Sequence, residues 1–377
     1  MNKDELVGLF ERFHQDPEPS LREVRTTAAI REALGGMEGV ELLDLGLPTG
    51  ALARICDGQD GPVVGLRADI DALPISEESG LAYASANGLM HACGHDFHTT
   101  ALLGAASELA ARKDELGGTV YLLFQPAEEN GHGARLVVGA GALQPLGIQR
   151  LFGLHVDPCL PVGVVSIPDG ALSASVDHIK IEVGGRGSHA ARPQRGRDPI
   201  VAASRLVGDL QEVVSRTIDP FEPAVLSVTR ISGGSSWNVI PEKVELEGTV
   251  RTMSPNVRED VRCEAQSRVD ALGGEGYEAG LDWEACCDPV INEHELAEPA
   301  RAIARGAGLE LGGFVVSMGG EDFSDLYAVA PGVFAHVGVG CEYPLHNPHF
   351  VADPAALDAA VRLHVAWTMG TLRELGW

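Results

Sequence analysis

Lysine is almost missing from this chain: Lys3, Lys113, Lys180 and Lys243 are the only four in 377 residues. The other basic side chains are arginines, and 28 basic groups face 54 acidic ones for a net charge of −26. Such a surface repels phosphate backbones and anionic membrane surfaces, which argues against nucleic acid or lipid as partner. Two explanations of the lysine poverty stay open. One is adaptation to high salt, where screening makes self-repulsion tolerable; the other is a GC-rich coding bias. A run of about 18 apolar residues is also missing, so no membrane span is expected. The start Met1–Leu6 lacks the apolar stretch of a signal peptide. The seven cysteines are odd in number and scattered without disulfide spacing, which suits a reducing compartment and makes the cytoplasm the expected location. There is no internal repeat, low-complexity tract or long linker.

Hydrophobic residues at 45% and charged residues at 22% are those of a globular protein, and the length favours two domains. Pro62–Leu66, Thr119–Phe124 and Leu151–Val156 are continuous apolar runs that predict buried strands, and Thr99–Ala111 predicts a helix between the first two. Apolar strands separated by helices point to a mainly parallel sheet covered on both faces. From about residue 174 the pattern changes. Ile179, Ile181 and Val183 alternate with Lys180 and Glu182, the period of a half-exposed strand. Asp198 is placed to cap a helix opening at Pro199. Further alternating strands are expected at Val225–Ile231 and Val244–Val250, and a second helix over 256–271. The α/β pattern resumes after about residue 290, with strand-like Phe314–Val316 and Val333–Val337 and a final helix opened by Asp353 or Pro354. The expected fold class is therefore α/β. Residues 1–173 and 290–377 form a catalytic domain, and an inserted α+β domain, a four-stranded sheet with two helices, occupies 174–289.

Open α/β sheets place their sites at the carboxyl ends of the strands. Here those ends carry Arg67-Ala68-Asp69-Ile70-Asp71, Gln125-Pro126-Ala127-Glu128-Glu129 and His155, and His91-Ala92-Cys93-Gly94-His95-Asp96 lies at the mouth of a helix. Thiolate, imidazole and carboxylate together suit a borderline divalent metal such as zinc, with manganese or cobalt as alternatives. A lone Cys or His is more often a core residue; Cys93, His95, Glu129 and His155 all falling at element ends is a coincidence of a different order. Of the adjacent pair Glu128-Glu129, one carboxylate can ligate metal while the other takes a proton from water.

These segments resemble the M20 peptidase family, in its branch of N-acyl-amino-acid amidohydrolases that includes hippurate and auxin-conjugate hydrolases. Further on, Gly153-Leu154-His155, Asn238-Val239-Ile240-Pro241, Gly248-Thr249-Val250-Arg251, Gly319-Gly320-Glu321-Asp322-Phe323 and Leu345-His346-Asn347-Pro348 follow in family order across essentially the whole chain. The resemblance implies two divalent metal ions per subunit, zinc or manganese first, with cobalt or nickel as alternatives. It implies Cys93, His95, Glu129, His155 and His346 as ligands, Glu128 as general base, and Asp71 as the carboxylate that orients a ligand. Spacing alone does not separate His346 from His336 or His349. His189, in some relatives reaching substrate from a partner subunit, Asn238, Arg251 and Glu321 are implied to bind a small N-acyl amino acid. A homodimer through the inserted lid domain is implied too. Gln194 stands where the family commonly has a histidine, a departure bearing on specificity. Dipeptidase and aminopeptidase branches usually carry a histidine and a bridging aspartate instead of the Cys93/His95 arrangement. A non-catalytic protein on the same fold would be expected to have lost the base or a ligand.

Overall fold

The computed structural model describes residues 1–56, 61–313 and 316–376. They fall into two compact units, Met1–Gly170 with Ile291–Val315 and Asp322–Trp377, and Ala171–Val290 with Val316–Glu321. Among the described residues no helix is long and apolar enough to cross a membrane.

The first unit is built on a seven-stranded sheet of β1 (Val40–Leu43), β2 (Ala51–Cys56), β3 (Val63–Asp69), β4 (Thr119–Gln125), β5 (Arg150–Asp157), β6 (Val165–Ser166) and β7 (Gly332–Gly338). Their spatial order is β1-β2-β4-β3-β5-β7-β6. The four central strands are parallel, and antiparallel strands close both edges. The parallel core strands are the three apolar runs of the sequence together with Val333–Val337. Each is buried almost throughout, which explains why they read as continuous rather than alternating. Successive residues of β5 show the two covered faces. Phe152 stacks on Trp367 of the helix Leu357–Gly376, with ring centroids 4.9 Å apart. A side chain at Gly153 would instead run into Phe323 at 2.8 Å on the other face.

The helix His95–Ala111 is buried along nearly its whole length, as expected of a helix without a polar face. It begins at His95, four residues before the predicted start, behind the N-cap Gly94, whose φ of +80° suits glycine. A Cβ there would also meet Val156 Cγ2 at 2.5 Å, so glycine lets the helix mouth approach the end of β5. Asp353 caps a 3-10 turn, Pro354–Ala356, by accepting from the Ala355 N–H, and the final helix proper starts at Leu357.

The second unit is an antiparallel sheet in the order Ala224–Gly233, Lys243–Thr252, Val176–Gly184 and Glu278–Cys287. Ile179, Ile181 and Val183 face its core with residues of the helices Pro199–Glu212 and Pro255–Gly274, while Lys180 and Glu182 are exposed. Asp198 caps the first of these helices through the Ile200 N–H. Both the mainly parallel α/β architecture and the four-stranded unit with two helices are as expected. Of the predicted strand Phe314–Val316, Phe314 and Val315 lie outside the described residues, and Val316 belongs to no strand.

Candidate metal centre

The carboxyl ends of β3, β4 and β5 and the mouth of the helix His95–Ala111 converge in the first unit. Cys93 Sγ lies 3.4 Å from His155 Nε2 and 3.3 Å from His346 Nε2. Glu129 is 3.7 Å from His346 Nε2 and 3.9 Å from His95 Nε2, and Glu128 Oε2 is likewise 3.9 Å from His95 Nε2. Metal–ligand bonds of about 2.0–2.3 Å in tetrahedral geometry hold neighbouring donors about 3.3–3.8 Å apart, so the spacings match a shared cation. His95 Nε2 and Glu129 Oε1 are buried without a hydrogen-bond partner among the described residues, a costly state that a cation would relieve. The residues present thus fit a divalent metal.

The electrostatics without a cation agree. Burial pushes the Cys93 thiol well above its ordinary range, and the Glu129 charge adds to the shift. Burial also pushes Glu129 up to about 7; the charges of Asp71 and Asp69 push the same way, against His95. His95 shifts well upward, because the Asp69 charge and the Asp71 hydrogen bond outweigh the opposing effect of burial.

His95, the Glu128–Glu129 turn and His346 are fixed from behind. His95 Nδ1 is 3.0 Å from the Asp71 carbonyl oxygen and 3.4 Å from its Oδ1. The Asp71 carboxylate, fully buried, accepts from the Glu128 N–H at 3.0 Å, the Glu129 N–H at 3.1 Å and the Ser20 hydroxyl at 2.6 Å. His346 has a left-handed backbone, φ +64°, and its N–H donates to the Ala92 carbonyl at 2.8 Å. That strap brings the His346 imidazole beside Cys93 and Glu129. His336 is half-buried in β7 opposite His155, and His349 packs against Tyr343. Below the donors, Arg67 is fully buried and pairs with Asp69 and Asp322 at 2.8 and 2.9 Å, while His98 Nδ1 donates to Asp69 at 2.6 Å. His91 and Asp96 are buried; Asp96 accepts from His14 Nδ1 at 2.6 Å, and His14 Nε2 reaches Glu77 at 3.0 Å.

The second unit carries His189, Asn238, Arg251 and Glu321. His189 pairs in register with Val239, and the Ala190 N–H donates to the Asn238 carbonyl at 3.0 Å, so His189 and Asn238 share one short ribbon. Arg251 lies on the strand Lys243–Thr252, its Nη1 3.3 Å from where a Cβ of Gly320 would sit. Sequence reasoning missed His14, Ser20, Glu23, His98 and Asp322. The one local signal, Ser20 three residues before Glu23, is capping-box spacing and would assign the carboxylate to its own helix. Instead Glu23 makes no side-chain cap there and accepts from the Ala127 N–H at 2.9 Å.

A cluster of thiol, imidazole and carboxylate donors beside a second carboxylate, on an α/β sheet with a separate α+β unit, defines a metallohydrolase of the two-domain peptidase type. The chain belongs to peptidase family M20/M25/M40, whose model matches residues 65–369. It is 43% identical to an N-acetyl-L-cysteine deacetylase of Bacillus subtilis over 94% of this chain and 85% of that protein. It is 33% identical to thermostable carboxypeptidase 2 of Saccharolobus solfataricus, over 96% and 94% of the two chains. A crystal structure of a Bacillus subtilis protein described as a dinuclear metal binding peptidase from the M20 family superposes with a TM-score of 0.86 at 38% identity, covering 98% of both chains.

Proposed function

We propose that this protein hydrolyses the amide bond of N-acyl amino acids, releasing a carboxylic acid and a free amino acid. The observation that carries the proposal is Glu128. Its carboxylate lies 3.9 Å from His95 Nε2 at the edge of the donor cluster, and its backbone is held by Asp71. Cys93, His95, Glu129, His155 and His346 would hold two divalent cations, zinc or manganese in first place, and the likeness to a dinuclear relative supports that number. Bound there, the cations would polarise the scissile carbonyl and lower the pKa of the attacking water. Glu128 takes the proton of that water and returns it to the leaving amine. Asp71 keeps His95 and the Glu128–Glu129 turn in place. Arg251 and Asn238 grip the free carboxylate of the amino-acid half, a task suited to a guanidinium fork, and His189 and Glu321 contact the substrate.

A second reading, hydrolysis of peptides, draws support from the carboxypeptidase relative. A carboxypeptidase also frees an amino acid with a free carboxylate from an acylated nitrogen, so the two readings differ in the acyl half. Replacing Glu128 with Gln tests the base: turnover should vanish while metal content stays that of the wild type. Retained turnover would remove Glu128 from the role, and retained turnover after loss of metal would remove the metal. The odd number and scattered spacing of the seven cysteines support a reducing compartment such as the cytoplasm. We also propose a homodimer through the second unit. Its outer strand Ala224–Gly233 pairs on one side, with Ile231 exposed, and Phe221 and Trp237 are more than nine-tenths exposed. Sedimentation showing a monomer at micromolar concentration would refute this.

A further inference from the structure

The turn that presents Glu128 and Glu129 has three successive backbone N–H groups, of Ala127, Glu128 and Glu129, each accepted by a carboxylate from elsewhere in the chain. Asp71 takes the second and third, and Glu23 Oε1 takes the first at 2.9 Å. Glu23 is fully buried and heads the helix Val24–Gly35 without making a side-chain cap. The same Oε1 accepts from the Leu21 N–H at 2.9 Å. Among the described residues only Leu21, Ala127 and His346 combine a side chain with positive φ. One carboxylate oxygen therefore ties together two of the three, Leu21 at φ +64° and Ala127 at φ +61°. An L-residue leaves that region readily unless something holds it there. From Ala127 the chain passes directly into the 3-10 turn Glu128–Asn130, so the dihedrals of Ala127 set where both glutamates point.

We propose that Glu23 is a positioning residue for the hydrolytic reaction, holding Ala127 in its left-handed conformation and so aiming Glu128 and Glu129 at the metal cluster. The proposal rests on the amidohydrolase reading. Its geometry asks for an acceptor at Glu23 rather than for a charge. Glutamine, whose amide oxygen can accept from Ala127, preserves the positioning, and alanine, with no acceptor, loses it. A base displaced by about 1 Å typically loses about 100-fold in rate.

The test compares Glu23→Ala and Glu23→Gln with the wild type, all loaded with cobalt(II). It reads cobalt stoichiometry, the visible absorption of bound cobalt, and kcat and KM on an N-acetyl amino acid. Glu23→Ala should change the cobalt spectrum and lower kcat by about 30- to 100-fold with KM little altered. Glu23→Gln should restore the spectrum and most of kcat. Equal losses in both variants, or a wild-type spectrum and kcat in Glu23→Ala, would overturn the proposal. If Glu23→Ala does not fold, Glu23→Asp replaces it. One methylene shorter, Asp keeps the charge but pulls the acceptor back, so it should fall below Gln in kcat; the reverse order overturns the proposal. A wild type that binds cobalt yet hydrolyses no N-acyl amino acid would sink the amidohydrolase reading instead. The spectra of the variants would still decide on Glu23.

Discussion

Asp71→Asn changes one atom of the side chain and should be among the most damaging conservative substitutions in the protein. The Asp71 oxygens accept from two backbone N–H groups and one hydroxyl, and the residue is fully buried. Asparagine offers a single acceptor oxygen. If that oxygen serves Glu129 and Ser20, its NH2 faces the Glu128 N–H, donor against donor. The opposite flip strands Glu129 and Ser20. An unsatisfied buried donor costs about 1–3 kcal/mol, and bonds to a charged acceptor are worth about 1.5–3 kcal/mol, so the net loss should be about 2–4 kcal/mol. That is a large share of the roughly 5–15 kcal/mol of a typical fold. His95 would lose the carboxylate beside its Nδ1 as well, and loss of such a partner typically weakens metal affinity or activity about 10- to 100-fold. Guanidinium unfolding in chelator isolates the stability loss, and a cation titration measures the affinity. A variant within about 0.5 kcal/mol of the wild type, with unchanged affinity, would refute the assigned role of Asp71.

Gly133→Ala should destabilise by about 1–3 kcal/mol or more, because the new Cβ presses on the Pro126 carbonyl oxygen and meets the Ala127 carbonyl carbon at 2.7 Å; a thermal shift with kcat would show stability and turnover falling together. For His14, burial alone would lower the pKa, but the hydrogen bonds and charges of Asp96 and Glu77 outweigh it and push it up to about 10. Because the folded value lies above the unfolded one, its stabilising contribution is complete below about pH 6.5 and is lost as pH rises through about 10. Unfolding of wild type and His14→Gln across that range should show the largest gap at low pH and a closing gap above neutrality, and a gap that widens with pH would contradict the assignment.

The parts of this fold read most easily from the sequence are strands and a helix whose burial is uniform, and strands whose burial alternates strictly. β3, β4 and β5 are apolar throughout because both faces are covered, and the helix His95–Ala111 is apolar for the same reason. The outer strands Val40–Leu43 and Ala51–Cys56 went unread, as did the strand Glu278–Cys287, whose mixed residues are mostly exposed or half-buried. At the site, donors at element ends were readable. The choice of His346 was not, since it depends on a left-handed backbone tied to Ala92. The supports in the N-terminal segment were hidden more deeply. Glu18, Ser20 and Glu23 look like an ordinary polar lead into a helix. Only tertiary structure shows Ser20 bound to Asp71 and Glu23 bound to Ala127.

The central claim concerns the bond that is cut. Metal-reconstituted protein assayed over a panel of N-acetyl, N-benzoyl and N-indoleacetyl amino acids, with free dipeptides alongside, tests it most directly. Release of free amino acid from the N-acyl compounds, lost on chelation and restored by a divalent cation, is the predicted result. Turnover of the dipeptides alone would contradict it.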